Sequence, residues 1–213
     1  MTKEQALKIY METDVKTECS LCQKRILKQI DTDFVSIIED ILKHIRIFYK
    51  GIVDKQQKKE QLPVNYIQFS FLMSGIKQRK VQILMEALPV EWYFGDCIYE
   101  MTFSVVWLEN ALNELYEILL KKSARFMGKI TQMDVERILL EERRFYEKIQ
   151  EALLKYAFEI SLDEQDLKNM IKQEEVHIFV GEYRGEFNQI YTISEQSRQL
   201  REVFYGVLFN QAT

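Results

Sequence analysis

Cys19-x-x-Cys22 is the spacing in this sequence that most resembles a metal or dithiol motif. Zinc takes about four N, S or O ligands, and structural sites commonly pair two such couples. No second couple accompanies this one, since Cys97, His44 and His177 are isolated in the chain. On a helix the two thiols share a face with Ile26 and behave as small hydrophobes. Neither a metal nor a cofactor is expected. Histidine is the side chain whose unperturbed pKa lies nearest neutrality, and the chain holds 2 of them. His44 borders an apolar helical stripe, and His177 lies in a strand between Val176 and Ile178. Neither adjoins a nucleophile motif, and G-x-S-x-G is absent. The phosphate-cradling patterns G-x-x-x-x-G-K-[ST] and G-x-G-x-x-G are missing as well. Glu141-Glu142 and Glu174-Glu175 are sequence neighbours, which on a helix point away from a common metal. No catalytic residue emerges.

Two clusters remain that bind rather than react. Trp92-Tyr93-Phe94 follows Pro89 and precedes Gly95-Asp96, which places it in a connection or at a strand end. In an extended segment adjacent side chains face opposite sides, so three consecutive rings cannot all enter one core. Tyr and Trp suit surfaces that are apolar at one end and wet at the other, and they recur at interaction hot spots. Trp92, Tyr93 and Phe94 are therefore the candidate partner-binding residues. The blander alternative has Trp92 and Phe94 packing inward while Tyr93 points out. Among the basic groups, Lys55, Lys58 and Lys59 end one helix. Lys121, Lys122, Arg125 and Lys129 crowd the end of another, where cations complement the helix dipole. Lys77, Arg79 and Lys80 lie in or near a hairpin turn and are the candidate nucleic-acid contacts. Against that alternative, 29 Lys+Arg face 33 Asp+Glu and the pI is near 5.5, not the basic value such footprints show.

The elements that must position these residues are mostly helical. Glu4 to Met11 and Glu18 to Ile30 read as short helices. From Thr32 to Lys59, Phe34, Ile37, Ile38, Ile41, Ile45, Phe48 and Ile52 recur at three- and four-residue steps on one stripe. Tyr66 to Met73 is rich in aromatic and β-favouring residues and pairs, across a Ser74-Gly75 turn, with Val81 to Met85. A helix from Ile76 to Leu88 competes for that second half. Met101, Val105, Leu108, Leu112, Leu115 and Leu119 then predict the first arm of a helical hairpin, closed by Gly128. Thr131 and Asp134 form a capping box that opens the second arm. Its inner face is predicted as Val135, Ile138, Glu142, Phe145, Ile149, Leu153 and Tyr156. A short helix over Leu162–Lys172 precedes a hairpin of Val176–Val180 with Phe187–Ile193, and Ser194 to Phe209 closes the chain as a helix.

With 213 residues, 7 Gly and 2 Pro, the chain has the length for one core and few breakers between long elements. Its pattern predicts a single helix-rich domain over residues 1–213. The fold class is α+β, predominantly α-helical: a long antiparallel helical hairpin and N-terminal helices packed with two β-hairpins. No apolar stretch reaches the ~20 residues of a membrane helix, no secretory signal is expected, and 3 Cys argue against a disulfide framework. The expected setting is cytoplasmic, without membrane contact. The expected function is non-catalytic protein–protein interaction, as an adaptor, regulator or immunity-type component. Self-association through a hairpin edge, giving a homo-oligomer, is a corollary. The alternatives are a nucleic-acid-binding accessory protein and an enzyme without a recognisable motif.

Overall fold

Thr2 starts the first helix by a reciprocal cap: its Oγ1 accepts from the Gln5 N–H at 3.2 Å, and Gln5 Oε1 accepts from the Thr2 N–H at 2.9 Å. The computed structural model describes residues 1–58, 62–72 and 79–194. Within it the chain divides into two compact units. The first comprises Met1–Asp40, Leu72–Gln82 and Ser104–Leu153; the second comprises Ile41–Phe71, Ile83–Phe103 and Leu154–Thr213. Among the described residues no helix is long and apolar enough to cross a membrane.

Helices build the first unit. Helix α1 (Lys3–Tyr10) runs into a π turn over Met11–Val15 and then into α2 (Lys16–Lys58). The wider π turn brings Asp14 and Val15 to the buried side. The unit continues through α3 (Val106–Ser123) and the start of α4 (Gln132–Ser161). Tyr10 donates its hydroxyl to the Leu119 carbonyl at 2.7 Å, tying α1 to α3. Between α3 and α4, Met127 (φ 51°) and Gly128 (φ 78°) both adopt left-handed backbone, the conformation glycine tolerates at a helix end. The Thr131–Asp134 box forms as expected: Asp134 Oδ2 accepts from the Thr131 N–H at 2.8 Å, and Thr131 Oγ1 accepts from the Asp134 N–H at 3.3 Å.

The second unit holds one five-stranded sheet in the order β3-β2-β1-β4-β5. Its strands are β1 (Val64–Phe71), β2 (Gln82–Leu88), β3 (Tyr99–Ser104), β4 (Lys172–Glu182) and β5 (Phe187–Ile193). β1–β2 and β4–β5 are antiparallel hairpins, and β1 with β4 is parallel. Because side chains alternate along a strand, register sorts the two faces. Ile67, Phe69 and Phe71 line up with Ala87, Met85 and Ile83 on one side, and Ile67 and Phe69 with Ile178 and Val180 on the other. All are buried. Against this apolar face lies Phe158 of α4, edge-to-face with Phe69 at 6.4 Å. Ile45, Phe48, Tyr49 and Ile52 of α2 are buried in the same unit, the Phe48 ring 5.7 Å from Tyr99 of β3. The Ser161 hydroxyl donates to the Phe158 carbonyl at 2.8 Å and accepts from Tyr49 at 2.9 Å. Burying each large apolar side chain contributes roughly 1.5–3 kcal/mol, so this layer dominates the unit's stability.

The predominantly helical α+β class stands, with several elements redrawn. The two expected hairpins are halves of one sheet, because β1 and β4 pair. The Thr32–Lys59 stripe joins the preceding helix in α2, interrupted only at Asp33 (φ −110°, ψ 16°), so the expected break survives as a kink. Gln82–Leu88 is a strand, which removes the competing helix over Ile76–Leu88. The proposed turn residues Ser74-Gly75 and the closing helix from Ser194 fall almost wholly outside the described residues. Met101 belongs to β3, and the helical arm begins only at Val106: Tyr99–Ser104 is β-favouring, and its edge pairing with β2 overrides the chance four-residue spacing. In α4 the buried side runs through Tyr146, Gln150, Leu154 and Phe158, leaving Tyr156 exposed. The short Leu162–Lys172 helix shrinks to α5 (Gln165–Asn169) as β4 extends back to Lys172.

Gly181 sits where the β4–β5 hairpin closes most tightly. A Cβ there would fall 2.1 Å from the Glu186 carbonyl oxygen and 2.8 Å from the Phe187 Cα, both backbone atoms that cannot swing away. Gly181→Ala is expected to destabilise by about 1–3 kcal/mol, read as a lowered urea midpoint.

Candidate functional site

Between β2 and β3 the chain makes a tight turn of one 3-10 helix, Trp92–Phe94. Its amides are satisfied internally: Trp92 donates to Pro89 at 3.0 Å, Phe94 to Glu91 at 3.1 Å and Gly95 to Trp92 at 3.3 Å. Gly95 lets the turn close, since a Cβ there would lie 2.8 Å from Pro89 Cγ. Trp92 takes φ 54°, a left-handed conformation that a bulky residue holds only against strain of roughly 1–3 kcal/mol. Packing offsets that strain. The indole centroid lies 4.5 Å from the Tyr66 ring and 5.1 Å from Phe179, on the sheet face opposite the helices. His177 extends the same ring cluster, 5.8 Å from Tyr66.

Tyr93 anchors the turn to a polar row beneath those rings. Its hydroxyl accepts from Gln68 Nε2, which also donates to Ser70 Oγ at 3.0 Å. Ser70 in turn donates to Glu86 Oε2 at 3.4 Å. Gln68 and Glu86 are register partners on β1 and β2, and Gln68 and Ser70 are fully buried. Burial above all, and then the charge of Glu100, pushes the Glu86 carboxyl above its ordinary range; the Ser70 hydroxyl and Arg184 pull the other way. Burial likewise raises Tyr93. The row is a relay of mutual contacts. His177 pairs with Tyr66, whereas Ser70 pairs with Gly181, four residues further along β4 and so about 13 Å away along the strand. Ser70, Glu86 and His177 therefore do not form a triad.

The outcome for the aromatic trio is asymmetric. Trp92 packs inward and Tyr93 reaches inward through its hydroxyl. Phe94 is 99% exposed. The blander alternative, with Trp92 and Phe94 inside and Tyr93 out, fails for Phe94: Trp92 packs inward, and Tyr93 stays 42% exposed although its hydroxyl is bonded to Gln68.

Elsewhere the expected candidates are dispersed or already engaged. In the first unit Cys19 and Cys22 are buried on α2, and the Cys22 thiol contacts the Ala111 carbonyl at 3.7 Å. Burial first, then Glu142 and Cys22, pushes the Cys19 thiol up to about 12, which leaves almost no thiolate for disulfide exchange near neutral pH. Among the described residues no group of three or more His, Cys, Asp or Glu is placed to hold a metal. Lys77 lies outside the described residues. Arg79 donates to Glu117 at 3.0 Å and covers the Tyr116 ring at 4.5 Å, and Lys80 is exposed beside it. Lys122 is bonded to Glu18 at 2.5 Å and Arg125 to Asp14. In the second unit His44 stacks on Phe103 at 4.6 Å. Gln68, Ser70 and Glu86 were not anticipated; the period-two run Tyr66-x-Gln68-x-Ser70 is the signal that places them on one strand face. No family model, no curated protein and no solved structure matches this chain, so function must be read from the side chains themselves.

Two measurements probe the electrostatics. The folded state holds the Glu86 carboxyl above its unfolded value, so ionising it opposes folding at neutral pH. Glu86→Gln is expected to raise the urea midpoint at pH 7, and the gain should vanish as pH falls below 4.5, where the unfolded carboxyl is also protonated. Cys97 is exposed, yet its thiol contacts the Tyr99 carbonyl at 3.3 Å, and burial, with Glu86 and Glu100, pushes it up to about 11. Its alkylation rate should climb about tenfold per pH unit with no plateau near 8.5, the free-thiol value, while Cys19 and Cys22 react only after unfolding.

Proposed function

We propose that this chain is a non-catalytic protein–protein interaction protein of the cytoplasm, an adaptor, regulator or immunity-type component, and that it docks through the Trp92–Phe94 turn. The single observation that carries this reading is Phe94, 99% exposed on a turn whose other two rings are tied down. An aromatic side chain offers about 150–250 Å² of burial, and leaving it in water gains nothing for the fold. A partner that covers it gains that burial without having to order the turn, because Trp92 and Tyr93 already do so. The reactive-looking groups favour binding over catalysis: Ser70, Gln68, Glu86 and Tyr93 are consumed by bonds to one another. Arg79, held by Glu117 and Tyr116, gives the nucleic-acid alternative little support.

A photoreactive phenylalanine analogue at position 94, used in the native host, identifies what the turn touches. The captured protein is then purified and titrated against wild type and Phe94→Ala. The substitution is expected to weaken binding by roughly 30-fold, about 2 kcal/mol, typical of a buried aromatic anchor. The urea midpoint should stay unchanged, since so exposed a ring stabilises little. An unaltered Kd would remove the turn from the interface.

A further inference from the structure

The chemistry around Phe94 narrows the class of partner. The segment Ile83–Phe103 contains Glu86, Glu91, Asp96 and Glu100 and not one Lys, Arg or His. Glu91, Asp96 and Glu100 are exposed and, among the described residues, in no ion pair. Arg184 lies close enough to Glu86 to offset part of this charge, but it sits over the Tyr183 ring in the β4–β5 turn. Phosphate backbones and anionic lipid are repelled by such a rim. A cationic surface is attracted to it.

Backbone geometry restricts the partner further. The amides of Trp92, Phe94 and Gly95 are bonded within the turn, so it cannot recruit a strand by backbone pairing. Recognition must pass through side chains, and what protrudes furthest is the Phe94 ring, with Val90 57% and Tyr93 42% exposed nearby. A single knob fits the hole between four side chains on the face of an α-helix. Resting on the docking role proposed for this turn, we infer that its partner element is a basic amphipathic helix. Phe94 inserts into the apolar stripe, and Glu91, Asp96 and Glu100 face the Lys and Arg residues that border it.

Two labelled three-heptad peptides test this by fluorescence anisotropy with the full chain. Both carry Leu at a and d; one has Lys at e and g, the other Glu. The Lys peptide should bind saturably and lose roughly tenfold in affinity with Phe94→Ala. A similar loss is expected with the pair Glu91→Gln and Asp96→Asn, and as salt rises from about 50 to about 300 mM. The Glu peptide should not bind. Lys-peptide affinity unchanged by Phe94→Ala, equal binding of both peptides, or no saturable binding of either would each overturn the inference. The photo-crosslink separates the two levels. A captured partner without a basic helix, yet weakened by Phe94→Ala, keeps the docking role and discards the helix; no dependence on Phe94 for any partner discards both.

Discussion

The parallel pairing of β1 with β4 is the constraint on which the second unit rests. It joins strands that begin at Val64 and Lys172, far apart in the chain, and parallel neighbours can meet only through such a long connection. Closing that loop costs entropy that only a buried interface recovers. The recovery is visible in the register: Ile67 against Ile178 and Phe69 against Val180, all buried on the helix-covered face. The same register places Phe179 opposite Gln68 and His177 opposite Tyr66 on the other face. One pairing therefore builds both the core and the platform.

On that platform the Trp92 turn exchanges backbone strain for side-chain contact. The left-handed Trp92 is held because its indole closes the Tyr66–Phe179 ring cluster, and Tyr93 is held because Gln68 meets its hydroxyl. Gln68 is held by Ser70, and Ser70 by Glu86. In a buried row of this kind each polar group is expensive to leave unpaired, so the members rigidify one another. Gln68 Oε1 remains buried without a partner, the one end of the amide this row does not satisfy. Phe94 leaves this framework for solvent, with Tyr93 half-exposed beside it.

Charge in the first unit follows a different logic. The four cations near the end of α3 would look like an anion-binding patch if each were free. The π turn instead swings Asp14 to the buried side, where Arg125 and Lys122 reach it, and Lys122 also bonds Glu18. These cations complement both the helix terminus and a buried carboxylate. An unpaired buried Asp14 would be strongly destabilising, so the cluster serves the fold first.

Local sequence pattern by itself determined most of the helix stripes, both hairpins and the Thr131–Asp134 cap. Those features are legible because they depend on neighbours within a few residues: a 3.6- or 2-residue repeat, a turn, a cap. Where the period was ambiguous, the reading failed: Met101 fits a helical step, yet pairing at the sheet edge makes it strand. Tertiary structure alone decided that the hairpins share a sheet, that Gln68, Ser70 and Glu86 underlie the aromatic turn, and that Phe94 stands almost fully in water beside a half-exposed Tyr93. The first two depend on register between strands, where a one-residue slip would send every side chain to the opposite face. The third depends on a turn whose rings are sorted by the contacts those strands offer.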